Sequence, residues 1–358
     1  MRVLVIANLY PGSRQPAFGT FIAAHVDALS RAGADVAVVA IRNVPVHTAV
    51  VRKYLSLTLR SVGHALGARI RRRPPHIVEA HVAYPTGLIA LVAARLAGAQ
   101  LVVYCHGTDI TGRTARSRIH GAILGWLLAR AALVVANSEF LRGVIEARYR
   151  LKPGLLIVLP PGIDLRVYRP GAEPRRRDEV LFVGRLARQK GVLELLEAVR
   201  HLGSGDISVR FVGDGPMRAD LERRASAMGV NAIFEGPRPP AEVAQMMGGA
   251  GVLAMPSIHP EGLGLVAIEA MASGALVVAA AAGGIVESVI DGKTGWLVTP
   301  GDVDALASAL REALAMADAP GADGWRALQQ RAMAKAREYD IDAVARQTLD
   351  AYTSLVER

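Results

Sequence analysis

Apolar residues are grouped along this chain in two ways. Short runs rich in Val, Ile, Leu and Ala recur at residues 3–7, 35–41, 77–80, 101–105, 133–136 and 157–159. They recur again at 180–183, 209–212, 233–236, 251–255, 276–280 and 296–298. Runs without alternation predict strands buried on both faces, as parallel sheets require. Between them, apolar residues spaced by three and four predict helices, among them residues 21–31, 50–73, 87–97, 192–200, 302–317, 325–338 and 341–356. The strand–loop–helix rhythm stops over residues 160–177, which hold prolines at 160, 161, 170 and 174 and a charge run, and then restarts. The pattern predicts an α/β protein of two doubly wound parallel-sheet domains facing one cleft. The expected division is residues 1–165 and 175–340, with a last helix at 341–358 packing back toward the first domain.

Composition narrows this reading. An apolar share of 51% supplies two cores and excludes global disorder. Aromatics at 5% favour helix-covered sheets over a β-sandwich. The single cysteine, Cys105, rules out an internal disulfide; at the end of a strand it reads as a buried structural thiol in a reducing compartment. Residues 1–6 read as a first strand and not as a secretory signal. The long apolar stretches 88–103 and 122–135 are broken by Arg95 and Arg130, so neither qualifies as a membrane span. A cytoplasmic location is expected.

Charge is unevenly placed. Residues 1–170 hold 22 Lys and Arg against 7 Asp and Glu, whereas the rest hold 20 against 25. That asymmetry points to a polyanionic surface or ligand facing the first half. No helix-turn-helix, zinc or aromatic stacking motif accompanies it, so nucleic acid is not expected as a partner. Peripheral contact with an anionic inner-leaflet membrane fits better. Residues 50–73 carry Val51, Tyr54, Leu55, Leu59, Val62, Leu66 and Ile70 at helical spacing, with Arg52, Lys53, Arg60, Arg69 and Arg71 to Arg73 outside the stripe. Such a helix can lie in a membrane interface or pack on its own domain, and the pattern leaves both open.

The candidate chemistry centres on residues 256–271. A loop bearing Glu261 runs through Gly262, Leu263 and Gly264 into an apolar helix that starts at Leu265 and carries Glu269. Glycines allow close backbone approach to a ligand, and the free N–H groups of the following helix suit a phosphate. Glu269 would accept from a ribose diol, and Glu261 from a sugar hydroxyl. Arg185 and Lys190 follow a predicted strand, where two cations can clasp a diphosphate. Gly213 ends another strand in Gly-Asp-Gly, without a third glycine at the dinucleotide spacing. In the first half, Gly19 precedes a helix, and His106-Gly107-Thr108-Asp109 closes a strand where open sheets place ligands.

In this order, Gly184-Arg185 with Lys190-Gly191, Val212 to Gly215, Pro256-Ser257, Glu261 and Glu269 separated by seven residues, then Gly283-Gly284 and Glu287 resemble retaining glycosyltransferases of family 4, with the GT-B fold. Leu263 stands where that family commonly has Phe. The resemblance implies a metal-independent hexosyltransferase using a nucleotide-diphosphate sugar of UDP or GDP type as donor substrate, with no further cofactor. It implies a glycan or lipid-linked acceptor and a place in envelope polysaccharide or glycolipid synthesis. Arg185 and Lys190 would hold the diphosphate, Glu269 the ribose, Glu261 and His106 the sugar, and the backbone from Gly262 to Leu265 both sugar and phosphate. The departing phosphate itself would take the acceptor proton. Two other readings compete: a nucleotide-sugar epimerase of related layout, and a non-catalytic protein that binds anionic surfaces. No Asp-x-Asp element lies in a strand-end loop, since Asp302-Val303-Asp304 opens a predicted helix, which agrees with metal independence.

Overall fold

A computed structural model describes residues 1–13, 18–42, 50–112, 117–171, 176–203, 207–318 and 323–357. Of the predicted break at 160–177, residues 172–175 lie outside the described residues. The chain forms two compact units, one of Met1–Gly162 with Ile341–Arg358 and one of Ile163–Asp340.

In the first unit, β1 (Arg2–Ala7), α1 (Thr20–Arg31), β2 (Asp35–Ala40), α2 (Val50–Ile70), β3 (Ile77–His81), α3 (Thr86–Ala97) and β4 (Gln100–Cys105) alternate. After a single turn at Thr108–Thr111 come α4 (Arg118–Leu128), β5 (Leu133–Ala136), α5 (Glu139–Arg148) and β6 (Leu156–Val158). All six strands pair in parallel, in the order β2-β1-β3-β4-β5-β6. The order reverses beside β1, so crevices open at the carboxyl ends of the strands there. Apolar clusters cover both faces of the sheet, as its unbroken Val, Ile and Leu runs demand.

The second unit repeats the scheme. It contains β7 (Arg176–Val183), α6 (Val192–Leu202), β8 (Ser208–Val212), α7 (Arg218–Met228), β9 (Asn231–Gly236), α8 (Pro240–Gly249), β10 (Ala250–Met255) and α9 (Leu265–Ala272). Then follow β11 (Leu276–Ala280), β12 (Trp296–Val298), α10 (Val303–Asp318) and α11 (Asp323–Arg337). The strand order is β12-β11-β10-β7-β8-β9, so the reversal falls between β7 and β10. The loops leaving those two strands begin with Gly184 and Pro256, the stretches singled out for their chemistry.

The last helix, α12 (Ile341–Val356), belongs to the first unit. Its Ile341, Ala345 and Tyr352 are buried in the same cluster as Ile22, Val26 and Leu29 of α1. Arg31 donates to Asp342 at 2.7 Å across the same contact.

Helix α2 differs from the expectation in two ways. It ends at Ile70, so Arg71 to Arg73 lie beyond it, with Arg72 at a positive φ of 53°. The face it buries is the one bearing Leu57, Ser61, Ala65 and Ala68. Small side chains let the helix lie close against its own unit. Most of the predicted apolar stripe therefore faces outward: Val51 is 81% exposed, Leu59 64% and Ile70 82%, with Leu55 and Leu66 also exposed.

Candidate active site

The loop that leaves β7 and the loop that leaves β10 are joined. The Ile258 N–H donates to the Gln189 carbonyl at 3.0 Å. A Cβ at Gly191 would lie 1.8 Å from the Pro256 carbonyl oxygen, and the residue's φ is +70°, so only glycine permits this approach. Across the junction the Lys190 ammonium donates to Glu261 Oε1 at 2.6 Å. The Ser257 hydroxyl donates to the same oxygen, also at 2.6 Å. The Glu261 backbone is pinned as well, its N–H on the Ala282 carbonyl and its carbonyl accepting from Gly284. Lys190 and Glu261 thus come together as a partly buried ion pair held by three loops.

Arg185 is exposed, and its guanidinium has no hydrogen bond or ion pair with any described residue. Its neighbour Arg188 is instead spent on Glu194, at 2.6 Å. Helix α9 starts after Gly264 without a side-chain cap. The Ala267 N–H already reaches the Gly264 carbonyl, which leaves those of Leu265 and Val266 at the helix mouth. Gly264 itself has φ +82° and would drive a Cβ to 2.9 Å from Ile285 Cγ1, so packing as well as any ligand demands glycine there. Gly213 likewise backs onto the Gly184 carbonyl. Gly262 and Leu263 lie between Glu261 and that helix mouth, and Leu263 is buried.

Glu269 lies one turn into α9, among the buried Ala267, Ile268 and Ala270. Burial pushes its carboxyl up to about 7, and a hydrogen bond with Tyr168 draws it only part of the way back. A carboxyl that costs this much to ionise is poised to gain from a ligand that donates to it. Tyr168 stands 101 positions earlier, in a stretch read only as a boundary.

In the first unit Gly19 caps α1 at φ 72°, and His106 follows β4. Asp109 fixes the turn there by accepting from the backbone N–H groups of Ala83, His106 and Gly107 at 2.9–3.0 Å. His106 Nε2 meets His81 Nδ1 at 3.1 Å, and His81 Nε2 meets Glu79 Oε2 at 3.1 Å. His25 Nε2 approaches the same Glu79 oxygen at 3.1 Å. Glu79 Oε1 accepts from the Tyr352 hydroxyl at 2.8 Å, and that hydroxyl is 2.8 Å from the Tyr104 hydroxyl. Burial raises the Glu79 pKa, but His25 and His81 outweigh it and hold the carboxyl well below the usual range. Burial lowers both His81 and His106. The ligand atoms of His25, Glu79 and His81 lie within 4.8 Å of one another, a spacing a cation can use. Here N–H and O–H donors already occupy the carboxylate. Phe21, His25, His81, Tyr104, His106 and Asn137 line a small cavity at this spot.

Sequence reasoning singled out His106 and missed Glu79, His81 and Tyr352 behind it. The available signal was Glu79 itself, an acid inside the otherwise apolar run Ile77-Val78-Glu79-Ala80.

Residues 169–330 match the family described as Glycosyl transferases group 1, and residues 18–167 match Glycosyltransferase Family 4. The D-inositol 3-phosphate glycosyltransferase of Corynebacterium urealyticum is 32% identical over 252 residues; the match covers 64% of this chain but only 58% of that protein. The 2-deoxystreptamine glucosyltransferase of Streptomyces kanamyceticus is 30% identical over 272 residues, covering 69% of this chain and 70% of the relative. Among solved structures, Anabaena HepE in complex with UDP and glucose matches with a TM-score of 0.79 at 21% identity, over 99% of this chain and 100% of that one. With both halves of the sequence matching glycosyltransferase families and two parallel-sheet units of the expected kind, the chain belongs to the family 4 glycosyltransferases and has the GT-B fold.

Proposed function

We propose that this chain is a retaining hexosyltransferase that uses a nucleotide-diphosphate sugar of UDP or GDP type and needs no metal. The observation that carries the reading is the Lys190–Glu261 pair at the strand-order reversal of the second sheet, next to an uncapped helix start. Arg185 and Lys190 neutralise the diphosphate, and the N–H groups at the start of α9 add positive potential. Glu269 accepts from the ribose diol. Glu261, already oriented by Ser257, accepts from a hydroxyl of the transferred sugar, and we assign His106 to the same sugar. The anomeric carbon–phosphate oxygen bond breaks, the acceptor oxygen joins that carbon on the same face, and the acceptor proton passes to the departing phosphate oxygen. A relative with UDP and glucose bound supports the donor class.

A panel of nucleoside diphosphates read by thermal shift tests the donor site. One base should stabilise the protein by about 2.7 kcal/mol at a hundredfold excess over its dissociation constant. Indifference to the whole panel would remove the nucleotide from the reading. Because Arg185, Lys190 and the helix N–H groups supply the positive charge, transfer should also survive exhaustive chelation. An enzyme revived only by Mg²⁺ or Mn²⁺ would contradict that.

For the acceptor we propose a glycan or lipid-linked molecule of the cell envelope, met at an anionic inner-leaflet surface. Support comes from the outward apolar stripe of α2, bordered by Arg52, Arg60, Arg69 and Arg71 to Arg73. Beside it lies a cavity of about 310 Å³ lined by Arg42, Arg52, Lys53 and Arg60, with no acidic side chain among its described walls. No helix among the described residues is long and apolar enough to cross a membrane, so attachment would be peripheral. Each basic residue near such a surface contributes on the order of 1 kcal/mol. Flotation with anionic liposomes should capture the protein, fade in high salt and weaken when Arg71, Arg72 and Arg73 become Ser. Equal indifference to neutral and anionic vesicles would refute membrane docking.

A further inference from the structure

The hydrogen bonds behind His106 have one consistent polarity, set by Glu79. An ionised carboxylate has no proton to give, so every group on it must donate. His81 therefore carries its proton on Nε2, facing Glu79 Oε2 at 3.1 Å. A neutral imidazole has only one N–H, which leaves His81 Nδ1 as an acceptor. Among the described residues the only group it hydrogen-bonds is His106 Nε2, at 3.1 Å, so that nitrogen must bear the proton of His106. The opposite ring nitrogen of His106, Nδ1, has no hydrogen-bond partner among the described residues and is not among the enclosed polar atoms. Tyr352 and His25 also donate to the Glu79 carboxylate, so the polarity holds whatever the charge on His25.

We propose that Glu79, acting through His81, is a positioning pair that fixes His106 as its Nε2–H tautomer and presents Nδ1 as a bare acceptor to a ligand hydroxyl. The recognised group is then a donor O–H, and neither a phosphate nor a carbonyl oxygen satisfies the site. This deepens, and rests on, the assignment of His106 to the transferred sugar. Burial of both rings in the relay, those of His81 and His106, favours their neutral forms. Glu79 and His81 touch no substrate in this account. They decide which way one hydrogen bond points.

Nitrogen-15 NMR of the full chain labelled at histidine, with the His106 signal assigned by its loss in His106→Asn, reads the tautomer directly. At neutral pH and without donor, His106 should show a protonated Nε2 and a pyridine-like Nδ1. A proton on Nδ1, or an imidazolium, overturns the proposal with no substitution needed. In Glu79→Gln the side-chain amide can donate as well as accept, so a measurable share of His106 should move its proton to Nδ1; an unchanged spectrum there would also overturn it. The same variant should lose roughly tenfold in kcat while nucleoside diphosphate affinity holds, since one oriented hydrogen bond is at stake. Because the spectrum is recorded without donor, it judges the relay alone. A shifted tautomer with kcat intact would overturn the contact of His106 with the sugar and leave the relay standing.

Discussion

Lys190→Ala is expected to reduce glycosyl transfer by two to three orders of magnitude while the fold persists. The ammonium lies 2.6 Å from Glu261 Oε1, and both side chains are less than one-third exposed. Without it, Glu261 keeps only the Ser257 hydroxyl, and its negative charge then opposes an arriving diphosphate. Truncating one partner of such a pair typically costs about 2–5 kcal/mol. Glu269→Ala should lower transfer comparably, through the nucleotide. Steady-state kinetics and nucleotide titration on folded variants decide the matter. Full turnover with unaltered nucleotide affinity in both would rule out this site.

The second large effect concerns pH. Burial raises the Glu269 carboxyl from an ordinary 4.5 to about 7, so the folded protein holds a proton that the unfolded chain releases. Its contribution to stability is therefore complete below about pH 4.5 and is lost as pH rises through 7, a change on the order of 3 kcal/mol. Glu269→Gln should accordingly raise Tm more at pH 8 than at pH 5. Nucleotide affinity should run the other way. A ribose diol donates to the ionised form, so binding tightens by about tenfold between pH 6 and pH 8. The diphosphate titrates in this range too, which makes Glu269→Gln the necessary reference. An identical pH profile in that variant would exclude Glu269 from the ribose.

What could be read from the sequence follows from what each signal encodes. Parallel strands are buried on both faces, so their apolar runs stand out, and each of the twelve runs proved to be a strand. Periodicity located α2 but could not say which of its faces is buried. Ser61, Ala65 and Ala68 fit against the unit because they are small, and hydropathy does not register that. Lys190 and Glu261 could be singled out because each follows a strand end, where open sheets place ligands, and the fold pairs the two side chains. The partners of Glu79 could not be found in that way. His25 and Tyr352 lie 54 and 273 positions from it, and only the folded chain brings them to one carboxylate. Gly264 was read as making room for a ligand, yet it first makes room for Ile285, as Gly191 does for Pro256.

The return of the chain to its first unit has a consequence for the order of synthesis. Residues 163–340, the whole second unit, are available before α12 exists. The first unit starts ahead of the second and lacks a component until residues 341–356 have followed it. Until then the cluster holding Val3, Val5 and Leu29 is open where Ile341, Ala345 and Tyr352 will close it, and Glu79 has no hydroxyl on Oε1. Domains usually complete in the order in which they leave the ribosome. Of the two units here, the one that starts first is the second to be completed, and Tyr352, which closes its cluster, also supplies the hydroxyl on Glu79 Oε1.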